Sequence, residues 1–334
     1  MAVYTSIDNP ELYFQTKTYT GTEDELAITL DGDENMQPDL VWIKRRATSQ
    51  NHFIFDSVRG ATKYINSNTT DQEYTQAQGL KSFDTDGFTL GTWDGPNDDV
   101  TNVAWCWKES ATAGFDILTF EGNGTDDTDI SHNLSAVPHW MVVRNFDAAK
   151  DWCVYHHKNT SAPETDLLVL NTNAATTDTD DRWSDEAPTS SVFTVGDSSQ
   201  LNASGNTSIA YLWSEKQGFS KFGSWTGYGN ADGNFIYTGF RPAWVMIKKT
   251  NSSGSVNWYI FDNKRSPVNA VDDFLKADTN DAEGGDGNGY LDFLSNGFKF
   301  KTTNIGTESS GTFIYMSFAE QPFVNSKGVP ANAR

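Results

Sequence analysis

Cysteine is nearly absent from this 334-residue chain, which holds only Cys106 and Cys153. Two thiols in non-equivalent places cannot make a disulfide framework or a cysteine metal site, and both read as small buried hydrophobes. No run approaches the roughly 18 apolar residues of a membrane-crossing helix, so no membrane insertion is expected. Met1-Ala2-Val3-Tyr4-Thr5 has neither the basic nor the apolar stretch of a secretion signal, and none is expected. Basic residues are also scarce: 24 Lys and Arg stand against 45 Asp and Glu, for a net charge of −21 and a pI near 4.4. Such a surface repels a phosphate backbone and argues against DNA or RNA as a partner.

Catalytic signatures are missing too. There is no Gly-x-Ser-x-Gly elbow, P-loop or dinucleotide fingerprint. The run Gly285-Asp286-Gly287-Asn288-Gly289 lacks the strand before it and the helix after it that a phosphate loop needs. The pair His156-His157 would point to opposite faces of a strand, so all five histidines read as surface residues rather than ligands.

What is present is aromatic and repetitive. Phe, Trp and Tyr make up 13% of the chain, with 11 Trp. Pro38-Asp39-Leu40-Val41-Trp42-Ile43-Lys44 returns as Pro138-His139-Trp140-Met141-Val142-Val143-Arg144 and as Pro242-Ala243-Trp244-Val245-Met246-Ile247-Lys248. Flanking anchors return in the same order. Tyr19-Thr20-Gly21 matches Phe120-Glu121-Gly122 and Trp225-Thr226-Gly227, and Phe53-Ile54-Phe55-Asp56 matches Cys153-Val154-Tyr155-His156 and Tyr259-Ile260-Phe261-Asp262. Each copy closes on an aromatic run: Val103 to Trp107, Ile209 to Trp213 and Ile314 to Phe318. A period of roughly 100 residues is a domain, not a solenoid unit of roughly 20–50.

The expected layout is an arm over 1–16, repeats over 17–109, 115–215 and 218–322, and a tail over 323–334. Short apolar runs beside proline predict strands buried on both faces, and Asp86-Gly87 and Asn296-Gly297 predict hairpin turns leading into strands. Helical content is expected to be low, with Asp71–Gln78 and Val271–Leu275 the best candidates for about a turn or two each. The fold class that follows is all-β: three tandem antiparallel β-sandwiches, jelly-roll or lectin-like, each leaving the outer side of its sheets wet. A single large barrel is the alternative.

Aromatic positions shared by all copies read as core. Trp93, Trp183, Tyr228 and Tyr290 lie in loops that differ between copies and are the glycan-stacking candidates. Leu12, Tyr13, Phe14 and Phe323 are the candidate attachment residues. Asp56 and Arg59, like Asp262 and Arg265, predict exposed ion pairs worth roughly 0–1 kcal/mol. Acidic loops such as Asp31 to Asn35 and Asp278 to Asp286 offer oxygens to calcium without the helix-loop-helix spacing, and no other cofactor is indicated. With 45 acidic residues, carboxylate pairs for glycoside hydrolysis stay open, although nothing singles one out.

Gln37 to Lys44, Phe55 to Lys63, Ser82 to Gly91, Val103 to Lys108 and the ending from Phe318 to Arg334 together resemble a family of repeat-containing structural proteins of tailed phages, frequent in marine phages including those of cyanobacteria. The resemblance implies a virion protein of tail-fibre type, made in the host cytoplasm, with a lectin-like sandwich and no catalytic residue. Its partners would be other virion proteins and a host-surface glycan. A capsid decoration or head-fibre protein and a glycan depolymerase are the alternatives. Fibres are commonly homotrimers; no coiled-coil heptad supports one here, and three copies in one chain could mimic a trimer instead.

Overall fold

The computed structural model describes residues 4–251, 256–285 and 287–330. Asp286 of the glycine-rich run and the last tail residues, Ala333 and Arg334, lie outside the described residues. The chain is mostly β, with antiparallel sheets grouped in three regions. Each region holds a larger sheet of the same order. In region one it is Phe14–Thr20, Thr101–Trp107, Leu40–Arg45 and Phe53–Asp56. In region two Phe115–Glu121, Thr207–Trp213, Trp140–Asn145 and Cys153–His156 lead the sheet, and in region three Ser220–Gly227, Gly311–Pro322, Phe240–Lys249 and Tyr259–Asp262 do. A smaller sheet or hairpin faces each one, such as Leu26–Ile28, Gly87–Leu90 and Leu80–Asp84 in region one.

Alternation along the strands explains how these layers meet. Successive side chains point to opposite faces. Val41, Ile43, Phe53, Phe55, Ala104 and Cys106 pack on Ile28, Leu80, Phe88 and Leu90 of the small sheet. Their neighbours Leu40, Trp42, Ile54, Val103, Trp105 and Trp107 point the other way and join Trp140, Val142, Trp213, Trp244, Met246 and Phe318 in one central core. The expectation of a wet outer side therefore fails for the larger sheets: each buries that side against the other two regions.

Like contacts close these regions into a ring, two on one, three on two and one on three. Trp152 Nε1 donates to Asn66 O at 2.8 Å, Trp258 Nε1 to Val169 O at 3.0 Å, and His52 Nε2 to Lys276 O at 3.0 Å; the donors are sequence-equivalent, and so are the acceptors. The buried cations Arg144, Lys248 and Lys44 also correspond. They reach backbone oxygens of Asn66 and Thr69, of Asn173, and of Asn280, respectively. Burial pushes the Lys44 and Lys248 ammonium groups down to about 8 and the Arg144 guanidinium down to about 10.

The Asp–Arg pairs belong to the same ring and are not exposed. Arg59 Nε lies 2.6 Å from Asp56 Oδ2 with side chains 1% and 0% accessible, and Arg265–Asp262 matches it. Each carboxylate takes a further bond from the next region: Tyr211 OH donates to Asp56 at 2.6 Å and Trp105 Nε1 to Asp262 at 3.0 Å. In region two the pair is replaced by His156 and Asn159, and the equivalent of Tyr211 and Trp105 is Met316, which has no donor. His156 instead donates from Nε2 to Tyr315 O at 3.1 Å.

Repeated glycines fit this packing. A Cβ on Gly21, Gly122 or Gly227 would lie within 2.4 Å of a backbone oxygen, on Asp98, Ala203 and Ser309 respectively, so no side chain fits there. Strands Gly87–Leu90 and Gly297–Phe300 begin at the expected hairpin glycines. The expected helices do not form. Within Asp71–Gln78, Glu73 N bonds Phe146 O of region two, and Arg144 reaches Asp71 O. Val271 and Phe274 sit in β-bridges. Cross-strand and cross-region bonds outbid a short local helix in both segments. Both cysteines are free and buried.

A shared core predicts that the intact chain melts in one calorimetric transition, with calorimetric and van't Hoff enthalpies equal; three resolved transitions would contradict it. Replacing Tyr211 by Phe removes one bond to a buried carboxylate and should lower unfolding free energy by about 1.5–3 kcal/mol, read from the denaturant midpoint.

Candidate functional site

Regions two and three meet beneath residues 4–8 and 323–326, and an open cleft of about 480 Å3 lies there. Its wall is built by turns. Thr5 Oγ1 donates to Gln217 O at 3.0 Å, in the linker between the regions. Gly218 has φ +79°, and a Cβ there would stand 2.7 Å from Thr5 Oγ1. Phe323 N donates to Gly239 O at 3.1 Å, and Ser326 N donates to Asp8 Oδ1 at 2.7 Å. Segments 4–8 and 323–326 therefore clasp one another and bring Tyr4 and Phe323 to the rim.

Glu215, Lys221 and His139 line the interior. Lys221 Nζ donates to Glu215 Oε2 at 2.8 Å, and Phe222 N donates to Oε1 at 2.9 Å. Glu215 N donates to His139 Nδ1 at 3.1 Å. His157 sits behind, its ring centroid 4.4 Å from that of His139, and donates from Nε2 to Phe222 O at 2.6 Å. Tyr237 faces the cleft and is 60% exposed.

Equivalent junctions differ. The Glu215–Lys221 position corresponds to Glu109–Asp116 between regions one and two, where two carboxyls meet and burial, then the bond to Asp116, pushes Glu109 up to about 7. Asp116 is buried and accepts from Asn133 N at 2.6 Å, while Glu109 is half-buried and has an acid rather than a cation beside it. Between regions three and one, Glu320 is taken by Arg241, and the cavity beside it, against Gln15, measures about 30 Å3.

The residues expected to stack on sugar are scattered. Trp183 and Tyr290 are core residues, and Trp183 Nε1 donates to Asp166 O at 3.1 Å; burial removes the open ring face that stacking needs. Trp93 is half-buried, with its ring 4.9 Å from those of Phe53 and Tyr64. Tyr228 is 73% exposed and lies outside the cleft. Of the attachment candidates, Phe14 fills the central core against Trp107 and Phe318, Tyr13 packs on Phe219, and Leu12 is half-buried in a short 3-10 turn. Phe323 is the one that reaches the cleft. Sequence reasoning missed Tyr4, Tyr237, Glu215 and Lys221: the turn between regions two and three pairs Glu215 with Lys221, and only long-range contacts bring Tyr4 and Tyr237 to them.

The histidines are not surface residues. His52, His132 and His156 are buried, and His139 and His157 half-buried. Burial, the largest cause in each case, holds all five below the ordinary imidazole value, His156 at about 3 and His157 at about 4. Among the described residues no group of three or more His, Cys, Asp or Glu is placed to hold a metal, and no helix is long and apolar enough to cross a membrane.

A family model described as "Domain of unknown function (DUF7483)" matches residues 9–322. No curated protein matches the chain.

The five depressed imidazoles set a pH dependence. Between pH 6.5 and about 4 the unfolded chain binds protons that the folded one refuses, so stability present above 6.5 is lost as pH falls through that window. Glu109, raised to about 7, opposes this, as do Asp166, Asp273, Asp278 and Glu308, which burial also raises, while Asp8, Asp181, Asp232 and Asp281, held below the ordinary carboxylate value, act with the imidazoles. The thermal midpoint should be lower at pH 5.0 than at pH 7.5 in constant salt; an equal or higher midpoint at pH 5.0 would refute the dominance of the imidazoles.

Proposed function

The chain belongs to the DUF7483 family, a membership that assigns no activity, and we propose that it is a non-enzymatic structural protein of a phage particle: a tail fibre or other tail appendage that touches the host surface. The observation that carries this reading is the closed ring of three like interfaces around a tryptophan-rich core. That construction makes a rigid block and leaves loops and the cleft between regions two and three for contact. The sequence resemblance to tailed-phage structural proteins supplies the setting.

Within this reading each larger sheet and its smaller partner form a lectin-like, jelly-roll-type sandwich, a finer reading supported by the core they share. Three like units in one chain stand in for the three chains of a homotrimer. Other virion proteins are the structural partners, and a host glycan bound weakly by many copies is the surface ligand, since multivalency makes weak sites sufficient. The alternative of a capsid decoration protein held by its ends has less support, because Phe14 is taken up by the chain's own core and Asp8 by Ser326.

Immunogold labelling of intact particles with an antibody to the recombinant chain tests the post. Gold at the tail is expected; gold spread over the head would overturn the tail assignment in favour of decoration.

A further inference from the structure

We propose that the cleft between regions two and three is a carbohydrate site that grips a vicinal diol of a pyranose sugar: Glu215 and Lys221 hold the two hydroxyls, and Tyr237 and Tyr4 cover the C–H face. The proposal rests on the host-glycan part of the reading above and gives it a place and a chemistry.

Neighbouring hydroxyls need an acceptor and a donor side by side. Lys221 Nζ stands 2.8 Å from Glu215 Oε2, so the pair offers both within one hydrogen-bond length. Each carboxylate oxygen has two lone pairs, and one on each is already used, by Phe222 N and by Lys221. A lone pair on each oxygen and two ammonium protons remain for a ligand. The bonds already made hold Glu215 in place, so little side-chain freedom is lost on binding.

Size and lining agree. About 480 Å3 lies within the range of roughly 300–1,000 Å3 of small-ligand clefts. Tyr4 and Tyr237 are 49% and 60% exposed at its edge, in a protein whose aromatics are otherwise mostly buried. A tyrosine ring with one apolar face and a wet hydroxyl suits a ligand that is itself apolar on one face and polar at its rim. A phosphate would meet the Glu215 carboxylate in a chain of net charge −21, so an anion is disfavoured. The other two junctions carry an acid–acid pair and an acid already held by Arg241, which gives one site per chain.

Saturation-transfer NMR on the full chain tests this with the methyl glycosides of mannose, galactose and glucose, and with a per-O-methylated glucoside as the hydroxyl-free probe. At least one free-hydroxyl glycoside should bind and the methylated probe should not. Glu215→Gln should weaken binding by about tenfold or more and Tyr237→Ala by about fivefold, while Tyr228→Ala leaves it unchanged. Tyr237 is exposed, so its variant folds even if Glu215→Gln lowers the thermal midpoint. Binding that survives both cleft variants, or that is lost in Tyr228→Ala, overturns the cleft assignment and leaves host-glycan contact standing elsewhere. No binding to any probe by the wild type overturns the site itself; gold labelling of the tail then judges the virion reading separately.

Discussion

Three strands in this chain, Leu40–Arg45, Trp140–Asn145 and Phe240–Lys249, are buried along their whole length on both faces. An antiparallel sheet with one covering layer can bury only one side of such a strand. The second side has to find apolar surface elsewhere, and here each region finds it on the other two. Isolated, each region would expose a tryptophan-rich face, so the three larger sheets depend on one another. The ring follows from that requirement, and so does the inward placement of Trp105, Trp140, Trp213 and Trp244.

Burying so much of each sheet also buries polar groups, and the ring meets that cost with bonds that cross between regions. Arg144, Lys248 and Lys44 are buried without a carboxylate partner among the described residues and hold backbone oxygens of the preceding region instead. Arg144 and Lys248 also lie 4.9 and 5.7 Å over the rings of Trp152 and Trp258, where a desolvated cation is favoured. The carboxylates Asp56 and Asp262 follow the same rule. A buried acid is tolerable when its charge and its lone pairs are all answered, and Arg59 with Tyr211, or Arg265 with Trp105, answers them. Where Met316 offers no donor, the acid and its arginine are both gone and a neutral histidine takes their place. That substitution pattern is what the physics of a buried charge requires: the pair survives only with its third partner.

Much of this was legible in the sequence. Repeated apolar runs beside Pro38, Pro138 and Pro242 identified strands buried on both faces, and the order of anchors identified three like units. What covers the second face was not legible, because alternation reports that Trp42 and Val41 are both buried but not against what. The same gap produced the misreadings. Asp56 and Arg59 look like a surface pair until Tyr211, 155 residues away, closes over them. His156 and His157 look solvent-facing until Tyr315 and Phe222 cap them. Trp183 and Tyr290 sit in copy-specific segments, which suggested exposure, yet copy-specific loops also fold back to complete each region's own core. Long-range contacts decide all of these, and local pattern carries no record of them.

The cleft shows how a repeat can acquire a feature that its copies lack. Glu109, Glu215 and Glu320 are one position seen three times, each just after the last strand of its region or at that strand's end. Beside it stands the second residue of the following region's first strand: Asp116, Lys221 or, closing the ring, Gln15. An aspartate there makes two acids share a buried place and raises Glu109 toward neutrality. Glutamine leaves Glu320 to Arg241. Lysine alone makes an acid and a cation that are both partly open to solvent, with side chains 20% and 40% accessible. Segments 4–8 and 323–326 meet at this same junction, and their clasp supplies the aromatic rim. One substitution within the repeat and the contact of the segments 4–8 and 323–326 therefore converge on the same edge of the ring, and together they break its threefold likeness at the place where a ligand has room.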